Sequence, residues 1–110
     1  MDFFEAAKTA KEALEDKKAE NVKILSLSGL SSVADMFVIA SGNNINQLRA
    51  MADYVEEKLF EKGIKLHHSE GYQSGEWVLL DFNGLVVHLF IKDKRDFYDL
   101  DRVWADAMEI

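Results

Sequence analysis

The chain has 110 residues, 48% hydrophobic and 30% charged, with no cysteine and a formal net charge of −7. That length suits one domain with a real core, and the lack of cysteine rules out a disulfide framework or a thiolate zinc site. The acidic balance works against direct nucleic-acid binding, whose affinity comes from Lys and Arg on phosphates.

The first helix is predicted from Asp2, with Glu5 at capping-box spacing. Phe3, Ala7, Ala10 and Leu14 recur at helical spacing. The stripe is thin and mostly alanine, which predicts packing at an edge of the molecule. The helix fades over residues 16–20, where Lys17 and Lys18 complement its dipole. These opening residues mix acids with small apolar side chains, unlike a signal or transit peptide. No apolar run approaches a membrane span. A cytoplasmic protein is therefore expected.

Residues 21–27, NVKILSL, read as a strand, and residues 28–32, SGLSS, as a turn-rich connector. The continuous run at 36–40 suits a strand buried on both faces. A long helix follows from about Asn44, its cap, to Lys62, with Gln47 at the reciprocal capping position. Leu48, Met51, Ala52, Val55 and Leu59 form its apolar face, and Gly63 supplies a left-handed stop. Residues 64–69 read as a short strand and residues 71–75 as a loop with two glycines.

Residues 76–91, EWVLLDFNGLVVHLFI, are two apolar runs around Asn83-Gly84. Asn-Gly suits a type I′ turn, which needs positive φ at both central positions. A two-residue loop pairs Phe82 with Leu85, Leu80 with Val87 and Val78 with Leu89, all on one apolar face. The other face pairs Asp81 with Val86, Leu79 with His88 and Trp77 with Phe90. A one-residue slip would invert the faces. A charged connector is predicted at 92–97. A last helix is predicted from Tyr98 or Asp99 to Met108, with Leu100, Val103, Trp104 and Ala107 on one face. The order α-β-β-α-β-β-β-α predicts an α/β or α+β domain spanning residues 1–110, with one mixed sheet of about five strands and flanking helices.

Nothing in the sequence assembles catalytic chemistry by spacing alone. His67 and His68 are adjacent in a strand and so point to opposite faces. They cannot both join His88 at a metal, and all three read as surface or interface histidines. Asp35 precedes the buried strand, the place of a magnesium-binding carboxylate in metal-dependent nucleotidyl transfer. Position 37 is Phe, however, so no second carboxylate stands two residues on. Ser41-Gly42-Asn43 is neither a dinucleotide fingerprint nor a P-loop. No cofactor or metal is expected. What remains is an aromatic surplus: Trp77, Phe90, Phe97, Tyr98 and Trp104. Either the last helix covers them, with Trp104 on Trp77 and Phe90, or part of this surface is open and binds a protein.

AD-x-FVIASG at 34–42, Ala52-Asp53 in the long helix, Glu70-Gly71, EWVLLDFNGLVVHLF and Y-x-L-x-x-x-W at 98–104 together resemble the ribosomal silencing factor (Iojap-like) family, over about residues 22–107. Asp101 departs mildly from the glutamate usual in the family. The resemblance implies a factor that binds the large ribosomal subunit through large-subunit ribosomal protein fourteen. There it sterically blocks small-subunit joining and represses translation under nutrient limitation. It implies a nucleotidyltransferase-like fold without catalytic residues, little direct RNA contact, and room for a homodimer. It places the docking surface on Trp77, Asp81, His88, Phe90, Arg95 and Tyr98, with Glu70 and Leu79 beside them. The competing readings are a metal-dependent nucleotidyltransferase using Asp35 and a direct RNA binder.

Overall fold

The computed structural model describes residues 3–27 and 34–110, apart from the side chain of Phe97. The Asp2 cap and the connector at 28–32 lie outside these. The described elements are α1 (Phe3–Asp16), β1 (Glu20–Ser26), β2 (Met36–Gly42), α2 (Ile45–Glu61), β3 (His68–Glu70), β4 (Trp77–Asp81), β5 (Leu85–Ile91), α3 (Lys92–Tyr98), α4 (Leu100–Val103) and β6 (Met108–Glu109).

Among the described residues, six strands form one mixed sheet in the order β3-β4-β5-β2-β1-β6. β2 and β5 pair in parallel at its centre, and the other pairings are antiparallel. Every residue of β2 is buried, as its uninterrupted apolar run predicts. The helices α1 and α2 cover one face. Ala7, Ala10 and Leu14 of α1 meet Leu48, Met51, Val55 and Leu59 of α2 over Val38, Val78, Val87 and Leu89. The expected edge position of α1 is corrected here, since it lies against α2 and against β1, β2 and β5. A stripe of alanines lets a helix backbone approach its neighbours closely, so thinness marks proximity rather than a margin.

α2 is capped as predicted: the Asn44 side chain accepts from the Gln47 N–H at 2.8 Å. The Gln47 carboxamide reaches the Asn43 N–H at 2.7 Å rather than that of Asn44. Its other end donates to the carbonyls of Lys17 and Lys18, tying the start of α2 to the end of α1. Gly63, at φ +83, follows the helix.

The hairpin has the predicted register, with Trp77 opposite Phe90, Leu79 opposite His88 and Asp81 opposite Val86. Asn83 and Gly84 have φ of 65° and 122°. The Asp81 carboxylate accepts from the Asn83 N–H at 2.8 Å and braces the turn.

The C-terminal part differs from expectation. The charged stretch is not a connector but the helix α3, and the predicted last helix is reduced to the short α4, followed by β6. Asp99 causes the break between α3 and α4 by adopting a left-handed conformation, φ 53°, which aspartate tolerates better than most residues. Leu100, Trp104 and Ala107 do pack on the second sheet face as their spacing suggests, but Val103 is 68% exposed. β6 then adds a sixth strand beside β1. The predicted strand at 64–69 is shorter, leaving three residues as β3 at the sheet edge.

Candidate docking surface

The second face of the hairpin begins with Trp77 at the start of β4. Its indole N–H donates to His88 Nδ1 at 3.1 Å. An indole nitrogen only donates, so Nδ1 is the unprotonated nitrogen and the imidazole proton sits on Nε2. That Nε2 is buried with no hydrogen-bond partner among the described residues. Burial pushes the His88 pKa down to about 4, so the ring is neutral near pH 7. Phe37 of β2 closes on it edge-on, with ring centroids 4.5 Å apart.

From this pair an aromatic row runs across the sheet. Trp77 lies against Phe90 at 5.1 Å and Tyr98 at 4.7 Å between centroids. On the far side Phe37 meets Trp104 at 5.4 Å. Trp104 therefore caps Phe37, while Tyr98 of α3 takes the place expected for it beside Trp77 and Phe90. Phe90 is fully buried and belongs to the core. Trp77 is half-buried, with one side on that core and one side facing outward.

Arg95 stands one helical turn before Tyr98 in α3. This guanidinium is 7% exposed. It forms a bidentate pair with Asp101, at 3.1 Å through Nε and 2.9 Å through Nη2. Its Nη1 donates to the Asn21 carbonyl at 2.7 Å and to Ser41 Oγ at 2.9 Å. The Arg95 pair, helped by Lys23 at 3.1 Å, holds the Asp101 carboxyl down to about 2. Arg95 thus fastens α3 and α4 to the ends of β1 and β2.

Outside the row lies a groove of about 300 Å³ lined by Glu70, Gly71, Ser74, Glu76, Trp77, Leu79 and Tyr98. Its floor is aromatic and aliphatic and its rim carries two carboxylates. The 71–75 loop that walls it is clamped to α2. Arg49 donates to the carbonyls of Tyr72 and Gln73 at 3.0 and 2.8 Å, and the Tyr72 hydroxyl bonds Asp53 at 3.1 Å. The Asp53 carboxylate raises the Tyr72 pKa. Gly71 has φ +80°, and a Cβ there would collide with the Trp77 carbonyl.

Of the eight residues expected at the surface, the structure brings Glu70, Trp77, Leu79 and Tyr98 to one groove. Asp81 is half-buried two residues beyond Leu79 on β4, opposite His68. His88, Phe90 and Arg95 lie inside the molecule, so they support the groove without facing it. Alternation along β5 gives the face of His88 and Phe90 but not what covers that face, and Arg95 lies on α3. Ser74 and Glu76 join the lining with no signal of their own in the sequence, whereas the two glycines just before Trp77 signal a backbone that must turn closely against it. Among the described residues no cluster of His, Asp or Glu could hold a metal.

Residues 2–110 match the family model described as "Ribosomal silencing factor during starvation". The chain belongs to the ribosomal silencing factor family. Its similarity to curated family members is high along the whole length. The ribosomal silencing factor of Halalkalibacterium halodurans is 42% identical over 103 residues, covering 94% of this chain and 88% of that protein. The Bacillus subtilis factor is 41% identical over 100 residues, covering 91% and 85%. A crystal structure of a Chromobacterium violaceum protein superposes with a TM-score of 0.92 at 40% identity, covering 96% of this chain and 88% of that one. Ribosomal silencing factors are regulators that repress translation at the ribosome, not enzymes.

Proposed function

We propose that this chain docks through the Trp77–Leu79–Tyr98 groove on large-subunit ribosomal protein fourteen of the large ribosomal subunit. Seated there, it sterically blocks joining of the small subunit and lowers translation when nutrients are short. The groove carries this reading: an apolar floor for an anchor side chain, with Glu70 and Glu76 on its rim. A protein embedded among RNA phosphates is basic, so an acidic rim on a chain of net charge −7 complements it. Docking on protein also keeps the factor's own negative surface off the RNA. The mechanism is occupancy, carried out in the cytoplasm.

The scaffold is read as nucleotidyltransferase-like without its carboxylate pair. Asp35 is exposed just before β2, and Phe37 packs on His88 where a second carboxylate would stand.

Purified protein mixed with separated subunits is expected to co-sediment with free large subunits and to inhibit joining. Normal joining at saturating factor would sink the proposal. Trp77→Ala and Tyr98→Ala are each expected to weaken docking by on the order of 2 kcal/mol, the cost of losing an interface anchor. The far-UV circular dichroism of both variants is expected to stay native.

A further inference from the structure

We infer that His88 is a positioning residue for docking: its Nδ1 holds the Trp77 indole in the orientation that makes the groove floor. This rests on the docking reading above. In the hairpin His88 stands opposite Leu79, while Trp77 stands opposite Phe90, so the two are diagonal neighbours on one face. Diagonal pairs are within reach of aromatic side chains. The 3.1 Å bond from the indole N–H fixes the ring's rotation about its own stem. Phe90 and Tyr98 pack against the indole ring, and the bond to His88 fixes where its N–H points.

The acceptor is itself immobile. His88 is 4% exposed, is closed by Phe37 edge-on, and lies parallel to Phe90 at 13°. An imidazole here is also a poor choice for packing alone. It leaves Nε2 buried and without a partner among the described residues, a cost that an apolar side chain of similar shape avoids. The side-chain hydrogen bond it gives in return is the one to Trp77. A pre-oriented anchor loses less freedom on binding, so the benefit appears in docking rather than in folding.

The test compares His88→Asn, which places an acceptor near the position of Nδ1, with His88→Leu, which has none. Two readouts are taken: the Trp77 indole N–H resonance in ¹⁵N-labelled protein, identified by its loss in Trp77→Phe, and co-sedimentation with purified free large subunits. His88→Leu is expected to remain folded, to shift the indole resonance and speed its exchange, and to bind roughly three- to tenfold more weakly, the net worth of one hydrogen bond. His88→Asn is expected to restore both readouts. Wild-type binding by His88→Leu, or an unmoved indole resonance in it, overturns the assignment. So does equal loss of binding in both variants with a native indole signal in His88→Asn. If His88→Leu fails to fold, Trp77→Phe decides: it keeps a ring but removes the donor, and wild-type binding by it overturns the assignment. Trp77→Ala separates the two readings. If it binds like wild type, the docking surface is wrong and the positioning role falls with it. If it loses binding while His88→Leu keeps it, the positioning role alone is lost.

Discussion

A buried imidazole that must stay neutral ties stability to pH. His88 has a folded-state pKa of about 4, below the ordinary value near 6.5. Between these values the unfolded chain binds a proton that the folded chain does not. Stability is therefore full above about pH 6.5 and falls as pH drops through about 4. A shift of that size corresponds to on the order of 3 kcal/mol. Protonation also places a second N–H against the Trp77 indole donor. Asp101 acts lower down: its pKa of about 2 means its contribution is present above about 3.8 and lost as pH falls through 2. Urea unfolding measured between pH 7 and 4 is expected to show a steady loss in wild type and a much flatter profile in His88→Leu. Parallel profiles would remove His88 as the cause.

At the scale of elements, the hairpin and the C-terminal segment contrast in how far sequence could place them. Asn83-Gly84 dictates its own turn, and the alternation around it then fixes every cross-strand pair, so the register of β4 and β5 is local information. The break at Asp99 is not. An amphipathic pattern through 100–107 fits a continuous helix, and nothing local reports that Arg95 will be drawn into the sheet by Asn21 and Ser41, more than fifty positions earlier in the chain. The groove shows the same division. Alternation sets the face of Trp77 and Leu79, whereas the burial of Phe90 beside Tyr98 depends on where α3 lands and that of His88 on Phe37 of β2. Arg95→Ala leaves Asp101 without its bidentate partner. It is expected to destabilise the fold by on the order of 3 kcal/mol in denaturant titrations and to loosen Tyr98, weakening docking as well. Arg95→Lys restores the charge but not the two-pronged geometry, and is expected to recover only a part. A wild-type melting curve for Arg95→Ala would show that α3 is held by its apolar contacts instead.

Over the whole molecule, the sheet separates two jobs. One face is sealed by α1 and α2 into a core that needs nothing further. The other is covered by two short helices and a half-exposed aromatic row, leaving the groove at the β3–β4 side. With a net charge of −7 and two carboxylates on the rim, association with a basic partner is expected to be steered electrostatically. Raising salt from about 50 to 300 mM should slow association with large subunits while changing dissociation little, because charges beyond a Debye length are screened. Glu70→Lys with Glu76→Lys should mimic the high-salt rate. A salt-independent association rate would leave the apolar floor as the whole interaction.

The parallel pairing of β2 with β5 also bears on how the chain folds. It joins segments roughly fifty residues apart, and pairings of that span form slowly because the intervening loop must close first. The hairpin that carries Trp77 and His88 is local and can form early. Tyr98 reaches its place only when α3 docks across the ends of β1 and β2. A newly made chain would therefore hold its tryptophan before it has a groove, and become able to occupy a ribosomal subunit only as its last long-range contacts close.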